Sequence, residues 1–273
     1  MDMAVDLAAT VVEEGVGASI GVGVGAVVAG PLGAVGGAVA GGVIGKALKG
    51  AVDDFLGRLL SDREQKRVET VADLAQARIE KNLNEGQQPR SDGFFDDGVA
   101  NRSDAAELFE GTLIAAQKEY EEKKLPLIAN LNANIAFDAT VSPAEANRLL
   151  KIAGELTYRQ LLILKVTLEL QVFDEQGLSP AGLSVRKGEA YGELTGIESI
   201  TMASDLYDLC RRCLVFSKEA VLGPAGINPS KLYVAGYGAR LYILMDLRSV
   251  ERDADTSAIY SFMVGGNESS VAK

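Results

Sequence analysis

Two cysteines enclose two arginines in Cys210-Arg211-Arg212-Cys213, and the chain has no others. Exposed, such a pair would have its thiol pKa lowered by the neighbouring cations. No second C-x-x-C and no histidine is present to complete a zinc site, since the sequence contains no histidine at all. Nor does a βαβ pattern surround the pair. Spacing of i and i+3 on an amphipathic helix predicts both thiols in the core, with the arginines outside. The absence of histidine also removes the usual general base and the catalytic triads built on it. Carboxylates are plentiful, among them Glu110, Glu119, Glu121 and Glu122. Their runs read as solvated helix faces, and no mutually perturbed pair stands out. Asp92, Asp96 and Asp97 lack the alternating ligands and terminal Glu of a calcium loop. Gly45-Lys46 is followed by Ala47, where a phosphate loop needs Ser or Thr to meet magnesium. The expectation is a protein that is not an enzyme and uses neither metal nor cofactor.

The most informative pattern is physical. Gly17, Gly21, Gly25, Ala29, Gly33, Gly37, Gly41 and Gly45 stand four residues apart. On a helix they form one stripe with almost no side chain, against which another helix can approach to backbone contact. From Gly15 to Gly45 the only polar side chain is Ser19. In water each interior glycine costs such a helix about 1 kcal/mol. In a bilayer the backbone must bond to itself, which overrides that cost. The window suits one tilted span or, if Gly30-Pro31 turns the chain, a short re-entrant hairpin. A flexible segment and a hairpin buried in a soluble assembly are the alternatives. Asp2, Asp6, Glu13 and Glu14 precede the window, which argues against a secretory signal, and Lys46, Lys49 and Arg58 follow it. A single span would therefore leave the rest of the chain in the cytoplasm. Two cysteines suit that reducing compartment.

The elements that follow are mostly helical. Residues 64–83 place Val68, Val71, Leu74, Ala75 and Ile79 on one face. Asp104 is expected to cap a second helix that reaches Lys124, and residues 127–137 form a third with Asn130, Asn132 and Asn134 interleaved. Asparagines so placed bond backbone where helices cross. Ser142-Pro143-Ala144-Glu145 and Thr157-Tyr158-Arg159-Gln160 are helix starts, the second opening a strongly apolar helix over 161–173. Then come a Gly-rich loop, a short helical piece over 189–194, a helix over 201–213, strands over 214–216 and 231–234, and a helix over 236–245. That order describes a winged helix, with 201–213 as its recognition helix. Residues 148–248 carry 12 Lys/Arg and 11 Asp/Glu, and the recognition helix sets Asp205 and Asp208 against Arg211 and Arg212. A phosphate-facing helix should be basic, so a protein contact through Arg211 and Arg212 is favoured over nucleic acid. The net charge of −11 points the same way.

Between Lys124 and Leu164, LPLIANLNANIAFD, a polar gap and EANRLLKIAGELTYRQLLIL resemble the helical body of bacterial abortive-infection proteins of the alpha family. Those proteins likewise follow an A-N-L-x-A-N helix with an apolar LL-x-I-x-x-x-L-T helix. The resemblance implies phage defence by host shutdown and brings no catalytic residues with it.

The fold expected is mainly α: a glycine-zipper helical segment or hairpin (1–50), a helical connector and bundle (51–147), a winged-helix-like module with a two-stranded wing (148–250), and a short helix with a flexible tail (251–273). The function expected is an anti-phage effector that oligomerises and perturbs the inner membrane. It would act from the cytoplasmic face, or stay cytoplasmic until triggered. Its partners would be itself, membrane lipid and a phage- or host-derived protein trigger. A winged-helix transcription regulator and a self-assembling scaffold are the other readings.

Overall fold

The computed structural model describes Ile44, Phe55, Arg58 and residues 60–98, 102–175 and 196–264. These contain eight α-helices and one two-stranded antiparallel sheet, so the protein is mainly helical. Helix α1 is Asp62–Asn84 and buries Val68, Val71, Ala72, Ala75 and Ile79, the helical stripe its sequence predicts. The Glu64 carboxylate holds its start by accepting from the Ser61 N–H (2.9 Å) and hydroxyl (2.6 Å). Helix α2 is Asp104–Lys118, capped by Ser103, whose hydroxyl accepts from Ala106 N–H at 3.2 Å. The cap is thus Ser103 rather than Asp104, and α2 stops short of Lys124. A buried ion pair explains the stop: Lys124 and Glu119 are 2% and 5% exposed, and bringing them together folds 119–124 back into a 3-10 turn, Glu122–Lys124.

Helix α3, Leu125–Ile135, lies against α1 and α2, and Phe109, Leu113 and Ala116 of α2 close a core with α1 and Phe55. Its three asparagines all cross to neighbours. Asn130 and Asn134 donate to the carbonyls of Met245 (3.3 Å) and Leu244 (2.8 Å), while Asn132 donates to the Thr112 hydroxyl (3.2 Å). Asn134 also accepts from Arg78 Nε (3.1 Å) and Asn82 Nδ2 (3.0 Å).

Helix α4, Pro143–Glu155, starts at Ser142, whose hydroxyl accepts from Glu145 N–H. The border drawn at residues 147/148 falls inside it, and all described residues lie within one unit, Gly36–Lys273. Helix α5, Tyr158–Glu175, begins with a reciprocal box: Thr157 N–H donates to Gln160 Oε1 (3.0 Å) and Gln160 N–H to Thr157 Oγ1 (3.2 Å). From Leu161 to Leu168 every residue is buried, so α5 is the post around which the C-terminal elements are set. Each such leucine contributes about 2 kcal/mol.

Helix α6, Ile197–Arg211, begins earlier than expected, after Gly196 at φ +88°, and ends before Cys213. Strands β1, Val215–Ser217, and β2, Leu232–Val234, pair Val215 with Val234 and stack Phe216 on Tyr233 at 5.6 Å. Helix α7, Tyr237–Leu244, presses on β2 and on Leu214, the residue before β1, through Gly238, where a Cβ would sit 2.1 Å from the Leu214 carbonyl oxygen. Helix α8, Ala254–Val264, packs on α5. The buried Lys165 of α5 donates to the carbonyls of Arg248 (3.2 Å) and Val250 (2.8 Å) and pairs with Glu169 (3.2 Å). The Tyr260 hydroxyl donates to that same Glu169 and ties α8 to the post.

Candidate functional site

The residues expected to contact a partner are reached through α6. Met202, Ala203, Leu206 and Leu209 bury one face of it against α5 and β1. The outward face carries Ile197, Ile200, Ser204, Tyr207 and Arg211, spaced three or four apart. Ile197 is 76% exposed and Ile200 45%, and the loop residue Leu222 is 92% exposed. Tyr207 OH donates to the Leu222 carbonyl at 3.4 Å and joins the loop to the helix. The presented surface is therefore apolar and aromatic. Sequence reasoning missed it, although Ile197, Ile200 and Tyr207 already recur at helical spacing; starting the helix at Thr201 hid the first two.

Two of the α6 acids, Asp205 and Asp208, point elsewhere. Asp205 and Asp208 take hydrogen bonds from the buried Gln160 at 3.4 and 3.1 Å, and Asp205 is ion-paired with Arg159. Burial nonetheless raises the Asp205 pKa above the usual carboxylate range, outweighing the pull of Arg159. Arg212 donates to Asp208 and to Glu155 of α4, both at 2.8 Å. It is thus engaged within the chain, clamping the end of α6 to the end of α4. Arg211 is exposed and has no ion-pair partner among the described residues. The two arginines, adjacent in sequence, have different surroundings.

The cysteines depart from their expected place. Cys210 is half-buried, and burial, then the neighbouring Cys213, pushes its thiol up to about 11. Cys213 is exposed, because it follows the helix end in the left-handed region at φ +56°. Only the first thiol packs inward, so the i, i+3 argument fails once the helix stops between the two.

The eight small residues from Gly17 to Gly45 and the helical piece expected at 189–194 lie outside the described residues. Among the described residues no helix is long and apolar enough to cross a membrane, and no group of three or more Cys, Asp or Glu is arranged to hold a metal ion. Compared with protein-family models, with curated proteins and with solved structures, the chain matches none.

Proposed function

We propose that this protein is a membrane-acting effector of the abortive-infection kind, whose Gly15–Gly45 segment self-associates in a bilayer and perturbs it. One observation carries the reading: a charge-free run in which a small residue recurs every fourth position from Gly17 to Gly45. The resemblance of Lys124–Leu164 to abortive-infection proteins supports the biological setting. The order α6, β1, β2, α7 agrees with a winged helix, and we read that module as one that receives a protein. Its outward helix face offers isoleucine and tyrosine, whereas a DNA-reading helix would offer several lysines or arginines to phosphate.

Expression of the full chain should arrest bacterial growth and place the protein in the membrane fraction, and deletion of residues 15–45 should reverse both. Replacing Gly33 and Gly37 together with Leu should abolish oligomers and growth arrest, with the helical CD signal retained. Full toxicity and unchanged oligomer size in that double variant would rule the reading out. Salt-sensitive binding of duplex DNA by the full chain, lost on reversing Arg211, would favour the regulator instead.

A further inference from the structure

A cavity of about 580 Å³ opens where the first turns of α5 and α6 meet α8 and the Glu122–Lys124 turn. That volume falls within the range of pockets that take small molecules or anchoring side chains. Its floor is apolar: Leu162 and Ile259 are each 1% exposed, and Met202 and Phe262 complete it. Its rim is charged, and the two cations among the described residues there are already engaged. Lys123 pairs with Asp253 (3.7 Å) and Asp255 (3.5 Å) and lies 5.2 Å from the Tyr158 ring centre. Arg159 pairs with Asp205, and Glu121 accepts from Tyr158 N–H at 2.9 Å. The carboxylates of Glu122 and Glu198 are left exposed, with no hydrogen-bond or ion-pair partner among the described residues. Among the described residues, four carboxylates line the rim, Glu121, Glu122, Glu198 and Asp255, and Asp205 and Asp253 pair with its two cations, Arg159 and Lys123, from outside the lining. Three helix N-termini each add only about half a positive charge, and the mouth stays negative.

We infer that this cavity binds an apolar body carrying a cationic head, its hydrophobic part on Leu162, Ile259 and Phe262 and its ammonium or guanidinium at Glu122 and Glu198. The same chemistry is found in a free aryl- or alkylamine and in a lysine or arginine next to a large apolar residue of a protein. The inference does not depend on the glycine segment, and the site would remain if residues 15–45 never entered a bilayer.

The test is calorimetric titration of the full chain with 4-phenylbutylammonium, with its carboxylate counterpart 5-phenylpentanoate, and with a capped Phe-Lys-Leu peptide. Saturable binding of the amine or the peptide, with the carboxylate much weaker, is expected; whichever of the two binds tighter identifies the source. Neutralising both acids, Glu122→Gln with Glu198→Gln, should weaken binding about fivefold to tenfold, as two exposed ionic contacts allow. Ala258→Trp, at an exposed position on the cavity wall, should block it outright. Binding of neither cation, equal binding of the carboxylate, or affinity unchanged in both variants would overturn the inference.

Discussion

Replacing Asn134 with alanine should destabilise this protein far more than its half-buried position suggests. The side chain joins three elements: it donates to the last-turn carbonyl of Leu244 in α7 at 2.8 Å and accepts from Arg78 and Asn82 of α1 at 3.1 and 3.0 Å. Arg78 keeps a second partner, Asp246, at 2.7 Å and loses little. Asn82 is 0% exposed, so its amide would be left without an acceptor, and the Leu244 carbonyl would lose its side-chain donor. A buried polar group stripped of its partner costs about 1–3 kcal/mol, which puts Asn134→Ala at about 2–5 kcal/mol. For a body of this size that lowers the thermal midpoint by about 6–15 °C. Asn130→Ala removes a single 3.3 Å bond to Met245 and should cost about 1 kcal/mol. Gln76→Ala, which removes an exposed 3.0 Å bond to Glu80, is the control and should cost less than about 0.5 kcal/mol. Denaturant unfolding followed by circular dichroism ranks the three. If Asn134→Ala falls within about 1 kcal/mol of the control, the three-way bridge does not bear on stability and the reasoning fails.

Gly238→Ala forces a methyl into the Leu214 carbonyl at 2.1 Å and Val234 Cγ1 at 2.9 Å, so the backbone at Leu214, just before β1, must move. The expected loss is about 3 kcal/mol, beyond the gain of about 1 kcal/mol in helix propensity, and a midpoint at or above the parent's contradicts it. The pH response of Glu64 is a separate test. Hydrogen bonds from the Ser61 hydroxyl and N–H, then from Gln117, hold its carboxyl at about 2, below its ordinary 4.5. A folded-state pKa depressed in this way contributes stability above pH 4.5 that is lost as pH falls towards 2. Glu64→Gln should therefore be less stable than the parent at neutral pH, with the gap closing through that acid window; a gap that stays constant refutes the assignment.

Local signals in the sequence are strong where one residue decides an outcome with its near neighbours. Ser142-Pro143 and the Thr157/Gln160 box mark helix starts because their hydrogen bonds span three residues, and the stripe of α1 is visible because it repeats. What stayed hidden depends on partners distant in the chain. The end of α2 follows from Glu119 folding back onto Lys124, and Lys124 in turn donates to the Gly154 carbonyl at 3.3 Å. The inward turn of Asp205 and Asp208 depends on Arg159 and Gln160 of α5, more than forty positions earlier. Cys213 left the core because the helix ended before it, and boundaries are the least legible feature of any helix. The apolar α6 face and the cavity beside it arise only when α5, α6 and α8 are assembled, and no single segment announces them.

The stretch from Leu244 to Val250 is held by the buried side chains of Leu244, Met245 and Leu247, by the Asp246–Arg78 pair, and also by its peptide groups. Asn134 and Asn130 take the carbonyls of Leu244 and Met245, and Lys165 takes those of Arg248 and Val250. Carbonyls are common to every amino acid, so this grip reads spacing more than identity. An exposed position such as Ser249 can drift widely among natural variants while the fixtures stay engaged. Adding or removing one residue between Met245 and Arg248 would change the spacing between the two pairs of carbonyls, so that Asn130 and Asn134 on one side and Lys165 on the other could not all keep their partners. Across diverged copies of this protein, length in this short stretch should be kept where sequence is not.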